Sequence, residues 1–347
     1  MSPDIDPATG FPMGISLAEV QRALESDPIA ILLTEPGYLG TMSDLAPLIT
    51  AAHAKSVPVI IDAAWGGHFG FNKDIPKHCL QQGADALITS IHKALPGYSA
   101  SALLLAQGKY LNLARVEQSF ETTHTTSPAG APLASIDGVR ALLQLRGSDL
   151  LADLLANVNA FKERVQANFD IPVFLNVSDF PAGRFDPTKI VLRANQLGTS
   201  GVAIENELIN FGIRVEMADY DTMVFLATLA DDEDDFDLLG DRLIPILKKL
   251  QSGPRQSATA LSWSVVPQVG TSMRNAYFAK TEMVKAADAV GRISADLIAP
   301  YPPGVAVVAP GEVLTAQIVE GLAASKAAGV RIAYATDSTL ATYRVIL

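Results

Sequence analysis

Four residues in this 347-residue chain combine types that do chemistry: Asp62, Ser90, His92 and Lys93 offer a carboxylate, a hydroxyl, an imidazole and an amine. Each lies at or just past the end of an apolar run. Pro58-Val59-Ile60-Ile61-Asp62 ends on the acid, the run from Ala84 to Ser90 ends on the hydroxyl, and Ile91-His92-Lys93 follows at once. Such runs predict buried strands, and ligands of open parallel sheets bind outside the carboxyl ends of the strands. An amine beside an acid on one sheet edge is what pyridoxal phosphate requires, for its Schiff base and for its pyridine nitrogen. On this reading Lys93 supplies the amine and Asp62 keeps the nitrogen protonated, so that the ring draws electrons from a breaking bond at the substrate Cα. Ser90 and His92 are placed to bind the phosphate. The plainer reading leaves Asp62 as a helix cap and Lys93 as a solvated surface amine.

The elements that must position these groups follow from periodicity. Ile31, Val59 and Leu87 recur every 28 residues with helical patterns between them, the period of βαβ crossovers in a parallel sheet. The first crossover helix is predicted to start at Ser43 as N-cap, with Leu45, Leu48 and Ile49 on one face. A fourth strand is expected over 101–106. The stretch 133–168 reads as helical, with a break at Gly147-Ser148. From Ile171 onward, short strands over 173–177, 189–193 and 223–227 alternate with helices, including 201–211. The acidic run 231–235 precedes a helix over 236–250 that ends on Lys248 and Lys249, a charge order that complements the helix dipole. A Ser-, Pro- and Gly-rich linker over 253–270 leads to a last segment. The expected domains are therefore 1–168, 169–252 and 253–347.

Composition narrows the function classes. Hydrophobic residues at 49% and charged residues at 18% describe a packed globular protein rather than a disordered one. A formal net charge of -11 disfavours nucleic acid and anionic membranes and favours a small-molecule or protein partner. The lone Cys79 permits no internal disulfide and no multi-cysteine zinc site, which suits a reducing cytoplasm. The first residues lack the pattern of a secretory signal, and no apolar run approaches the ~20 residues of a membrane span. His53, His68, His78 and His124 show no metal-ligand spacing with Cys79, so no metal is assigned. Met217 and Met273 read as core fillers.

Beyond the single constellation, the chain resembles the prokaryotic ornithine/lysine/arginine decarboxylases among the fold-type I pyridoxal phosphate enzymes. The resemblance rests on SIHKALPGYSASALLL around Lys93, VIIDAAWGGHFGF around Asp62 and TEPGYLGTMSDL before it. THTTSPAGAPLASIDGVR, FDPTKIVL, GIRVEMAD and AVGRISADLIAPYPPGVAVVAPGE continue it toward the C-terminus. It implies an α/β fold: an aminotransferase-like large domain with a parallel sheet, here partial, a smaller α/β domain and a C-terminal α+β domain. It assigns Lys93 to the Schiff base, Asp62 to the pyridine nitrogen, Ala64 to packing beneath the ring, and Ser90 and His92 to the phosphate. Trp65 stands where many members have His and also looks familiar from the inducible lysine and arginine branch. Ser127 lies in a block that approaches the neighbouring subunit's site, which implies a homodimer. Tyr301-Pro302-Pro303-Gly304 is either a rigid turn or part of a loop near a substrate entrance.

The implied reaction is decarboxylation of arginine, lysine or ornithine to agmatine, cadaverine or putrescine. One departure stands out: only 61 residues precede Asp62, and they contain no glycine-rich Ser/Thr loop of the kind members use to cradle phosphate. The chain thus resembles the family without the first part of its large domain, and weak cofactor retention by the chain alone is expected. Two alternatives follow: a catalytically impaired homologue that pairs with or regulates a full-length partner, and another fold-type I reaction such as transamination or aldol cleavage. The C-terminal block argues against the latter.

Overall fold

Four apolar runs of the first third form one sheet in the order β3-β4-β5-β6. In the computed structural model, which describes residues 1–6, 11–257, 265–266, 268–301 and 304–347, these strands are β3 (Ile31–Thr34), β4 (Val59–Asp62), β5 (Ala86–Ser90) and β6 (Ala102–Ala106). They follow the short antiparallel pair β1 (Asp4–Ile5) and β2 (Pro12–Gly14) and helix α1 (Leu17–Ala23). β3, β4 and β5 run parallel, as the even spacing predicts, while β6 runs antiparallel to β5. The reason lies in the connection: residues 91–101 form a tight turn, closed by Ile91 N–H to the Ser101 carbonyl (3.0 Å) and Gly97 N–H to the Ile91 carbonyl (2.8 Å). Such a turn can only reverse the chain, because a parallel return needs a crossover of a dozen residues or more.

Helix α2 (Leu45–Ala54) covers one face of the sheet. Its Leu45, Leu48, Ile49 and Ala52 pack with Ile31, Leu33, Val59, Ile61 and Leu87 in one buried cluster. The alternate residues point the other way, and Leu32 (64% exposed), Ile88 (39%) and Leu104 (41%) stay open on that second face. The expected N-cap is corrected by one residue. Asp44 holds the cap position, because Ser43 is engaged elsewhere: its Oγ accepts the Ile15 N–H and its own N–H donates to Glu35.

Helix α3 (Leu113–Thr123) contains no buried residue, and α4 (Gly130–Gln166) runs unbroken for 37 residues. The predicted break at Gly147-Ser148 is absent. A glycine costs a helix ~1 kcal/mol, but Leu143, Gly147, Leu151, Leu154 and Val158 continue one buried stripe across it, and that burial outweighs the cost. The expected strand over 173–177 is reduced to a single bridge from Phe174 to Leu192, followed by a 3-10 turn at Val177–Asp179.

The chain divides into two compact units, 1–192 with 224–245, and 193–223 with 246–347. It passes between them within β7 (Ile190–Arg193), β9 (Thr222–Phe225) and α7 (Glu233–Leu250). Helix α7 carries its acids in the first turn and Lys248 and Lys249 in the last. The second unit holds α5 (Ala194–Leu197), α6 (Gly201–Ile209), β8 (Met217–Ala218), α8 (Met273–Phe278) and α9 (Ala286–Ala289), with α10 (Ala316–Ala327) packed on its core. Strands β10 (Thr281–Lys285) and β13 (Thr342–Ile346) pair antiparallel, as do β11 (Ala299–Tyr301) and β12 (Arg331–Ala333). Its core gathers Ile298, Val308, Leu314, Ile318, Leu322 and Tyr343. Met217 is buried, whereas Met273 opens α8 largely exposed and is not a core filler. Residues 258–264 and 267 of the expected linker, and Pro302-Pro303 of the expected turn, lie outside the described residues. Among the described residues no helix is long and apolar enough to cross a membrane.

The two faces of the sheet predict unequal costs of truncation. Ile61→Ala, in the covered face, should destabilise by ~2–5 kcal/mol, whereas Leu32→Ala should fall within ~0.5 kcal/mol of the parent. Urea unfolding of the two variants checks this; equal midpoints would show that α2 does not protect the sheet.

Candidate active site

Asp62 closes β4 and is tied to both neighbouring strands. The Glu35 N–H donates to the Asp62 carbonyl (2.9 Å), and the next residue's N–H, that of Ala63, donates to the Ile88 carbonyl (2.8 Å). The Asp62 carboxylate turns back over its own loop, where Oδ1 accepts the Ala64 N–H at 3.0 Å. Asp62 therefore caps a turn and not a helix. The Thr89 hydroxyl donates to the Ala63 carbonyl (2.9 Å), so the loop after β4 is fastened to the end of β5. Gly67 permits that contact: a Cβ there would lie 2.9 Å from the Ser90 carbonyl oxygen and 3.0 Å from Leu95 Cδ1.

This fastening brings Trp65 and Lys93 together. Trp65 is buried, and the Lys93 ammonium lies 4.8 Å from the centroid of its ring. Tyr38, in the turn after β3, meets the same indole edge-on at 5.4 Å. A second ammonium, that of Lys189, sits closer still, at 3.8 Å. Cations attract the electron-rich face of an indole, so one buried ring gathers two amines.

Ser90 ends β5, half-buried, and His92 follows with Nδ1 at 2.9 Å from the Ser101 carbonyl. A carbonyl only accepts, so Nδ1 carries the proton. Nε2 then accepts hydrogen bonds from a neutral ring and donates, as a phosphate oxygen requires, only from the imidazolium. Asp62, Ala64 and Trp65 share one loop, and Ser90, His92 and Lys93 share the next strand end. Ser127 is exposed between α3 and α4, its N–H donating to Thr125 Oγ1 at 3.4 Å, and no hydrogen bond or ring contact among the described residues joins it to the others.

The structure adds groups that sequence reasoning missed. Glu35 is buried, with both carboxylate oxygens 3.0 Å from the Ser43 N–H. Burial pushes its pKa up to about 7, although the Ser43 hydrogen bonds and the Arg184 charge pull the other way. His68 and Asp186 form a buried ion pair at 3.2 Å. Burial raises the Asp186 carboxyl, but the His68 and Lys189 charges and the Thr188 hydroxyl outweigh it and hold the group below its ordinary value. A histidine enclosed by glycines and aromatics in GGHFGF was the available signal, and nothing in the local pattern of FDPTK marks Lys189 as a partner of Trp65. Cys79 is no nucleophile: burial and the Glu35 charge push its thiol up to about 12.

The donor set suits pyridoxal phosphate. An amine held on an indole, a carboxylate fixed by its own turn at the end of the adjacent strand, and a hydroxyl and an imidazole flanking the amine are the groups that cofactor needs.

Comparison with known proteins identifies a family. The profile described as "Orn/Lys/Arg decarboxylase, major domain" matches residues 1–182, and the profile for that family's C-terminal domain matches 259–331. An arginine decarboxylase of Bacillus subtilis is 31% identical over 350 residues, covering 99% of this chain and 71% of the relative. Lysine decarboxylase A from Pseudomonas aeruginosa superimposes with a TM-score of 0.80 at 17% identity, covering 100% of this chain and 63% of that one. The constitutive lysine decarboxylase of E. coli gives 0.78 at 19%, covering 99% and 62%. The chain thus spans less than two thirds of the length of these solved structures. At such identities they show the fold, the aminotransferase-like α/β arrangement of fold-type I.

Glu35 yields a test of the site's electrostatics. Its proton binds the folded chain from about pH 7 downward and the unfolded chain only near pH ~4.3. Its contribution is therefore full below the unfolded value and is lost as pH rises through 7, by at most about 4 kcal/mol. Urea unfolding at pH 5 and pH 8 should show that loss in the parent and a flatter profile in Glu35→Gln. Parallel profiles would place the titration elsewhere.

Proposed function

The chain belongs to the Orn/Lys/Arg decarboxylase family, and from that premise we propose that it decarboxylates a basic amino acid (arginine, lysine or ornithine) with pyridoxal phosphate carried on Lys93. The observation that carries the reading is the placement of Asp62 and Lys93 at the ends of adjacent parallel strands, with Trp65 buried against the lysine.

When bound, the cofactor supplies a protonated pyridine ring that accepts the electron pair of the Cα–carboxylate bond as CO2 leaves. The Asp62 carboxylate holds the proton on the pyridine nitrogen; its hydrogen bond from Ala64 fixes it without neutralising it. Lys93 would hold the cofactor through its side-chain amine, and the same amine would be free to move protons at the substrate Cα while substrate is bound. Ala64 would lie under the cofactor ring, and Trp65 would wall the site against water. Ser90 and His92 would hold the phosphate. A proton replaces the lost carboxylate on Cα, which leaves an amine one carbon shorter.

The proposed assembly is a homodimer. Helix α3 buries none of its residues, leaves Leu113 and Phe120 exposed, and at 11 residues is too short to persist in water alone. It leads into the Thr126-Ser127-Pro128 block, which the family resemblance brings to a neighbouring subunit.

Borohydride reduction with pyridoxal phosphate followed by peptide mapping should label Lys93 and nothing in Lys93→Ala. Asp62→Asn should bind the cofactor yet release CO2 at least ~100-fold more slowly, a loss of about 3 kcal/mol; undiminished turnover in that variant would remove Asp62 from the reaction. Sedimentation should exceed the 36.7 kDa monomer at micromolar concentration.

A further inference from the structure

A buried polar cluster that the proposed reaction does not use links the loop of Trp65 to the segment of Lys189. His68, Asp186 and Thr188 are all buried. His68 Nε2 lies 3.2 Å from the Asp186 carboxylate and 3.4 Å from the Thr188 hydroxyl. That hydroxyl donates to Asp186 Oδ1 at 2.7 Å, and the Thr188 N–H donates to the same oxygen at 3.0 Å. Among the described residues His68 Nδ1 has no hydrogen-bond partner.

Burying a carboxylate completely is costly unless it is paired and hydrogen-bonded. What this one secures is visible in the backbone. The Asp186 N–H donates to the Gly40 carbonyl (2.8 Å) in the turn after β3, and its own carbonyl accepts the Lys189 N–H (3.1 Å). Its side chain holds His68, three residues past Trp65. Asp186 thereby joins the two loops that hold Tyr38 and Trp65 to the segment that carries Lys189. Gly40 completes the arrangement. A Cβ there would lie 2.7 Å from Lys189 Cγ, so the bare glycine, at φ +89°, lets the lysine stem pass toward the indole.

We propose that His68, Asp186 and Thr188 are positioning residues of the active site, which hold Lys189 on Trp65 and so fix the indole beside Lys93. The inference rests on the reading of Lys93 and Trp65 as active-site groups. The three residues act through the loops they join, and none is asked to touch the substrate.

Trp65 reports on this directly in the full chain without cofactor, once the second tryptophan is removed by Trp263→Phe. In that background Asp186→Asn and His68→Asn should raise Trp65 emission, shift it to the red and increase its quenching by acrylamide. Lys189→Met should reproduce the rise in emission, and Asp186→Asn combined with Lys189→Met should add nothing further. Thr188→Ser should behave as the parent and Thr188→Val as a weaker Asp186→Asn. In the loaded enzyme kcat should fall roughly 10- to 100-fold in Asp186→Asn with KM changed less. Unchanged Trp65 emission and quenching in Asp186→Asn with the far-UV circular dichroism of the parent overturns the inference; if that variant does not fold, Thr188→Val decides in the same way. Failure of the parent to be trapped by borohydride at Lys93 overturns the reading of the site and this inference with it. Trapping in the parent with an indifferent Trp65 overturns the inference alone.

Discussion

Parallel register is the constraint on which the rest depends. Thr34 stands opposite Asp62, and Asp62 opposite Ile88, so three strands end nearly level and release their loops on one edge. The loop hydrogen bonds described above continue that register past the last paired residues. A slip of one residue in β4 would turn Asp62 toward α2 and its apolar cluster, because alternate residues face opposite sides of a sheet. The covered face, with Ile61 and Val59 fully packed, forbids the slip. Core packing on one side thus aims the carboxylate on the other.

The same burial has opposite results for two carboxylates close to this edge. Glu35 has the Ser43 hydrogen bonds and the Arg184 charge, which fall short of its burial, and rises to about 7; Asp186 has a histidine, a lysine ammonium, a hydroxyl and a backbone N–H and falls. Desolvation acts on both, and the partners decide the sign. Lys162, buried on α4 with the Leu175 carbonyl as acceptor at 3.2 Å, shows the mirror case. Burial lowers its amine to about 8 although Asp186 and Asp179 favour the charge. Hydrophobic enclosure alone would neutralise these groups, and the ones that stay charged are those given company.

Much of this was legible in the sequence because it is local. Apolar runs at constant spacing, each stopping at a polar residue, place Asp62 at the end of β4 and Lys93 just past the end of β5. The antiparallel turn of β6 was less visible, since the apolar run of 101–106 reads the same in either direction. Gly147 misled because a propensity rule cannot weigh the buried stripe that continues through it. His68 and Asp186 are 118 positions apart and meet only when the loops fold together, so no window of sequence contains the pair. Lys189 looked like the first residue of a strand, and its side chain reaches Trp65 through a passage left by Gly40, far away in the chain.

The open face of the sheet has a consequence for handling the protein. Leu32, Ile88 and Leu104 form an exposed apolar patch, and the net charge of -11 at pH 7 opposes contacts between copies through it. That repulsion vanishes near the isoelectric point of about 4.9, and salt shortens its reach to ~8 Å at physiological ionic strength. Contact between copies through this face would therefore be governed by pH and salt, opposed by like charge in dilute alkaline buffer and favoured in mild acid.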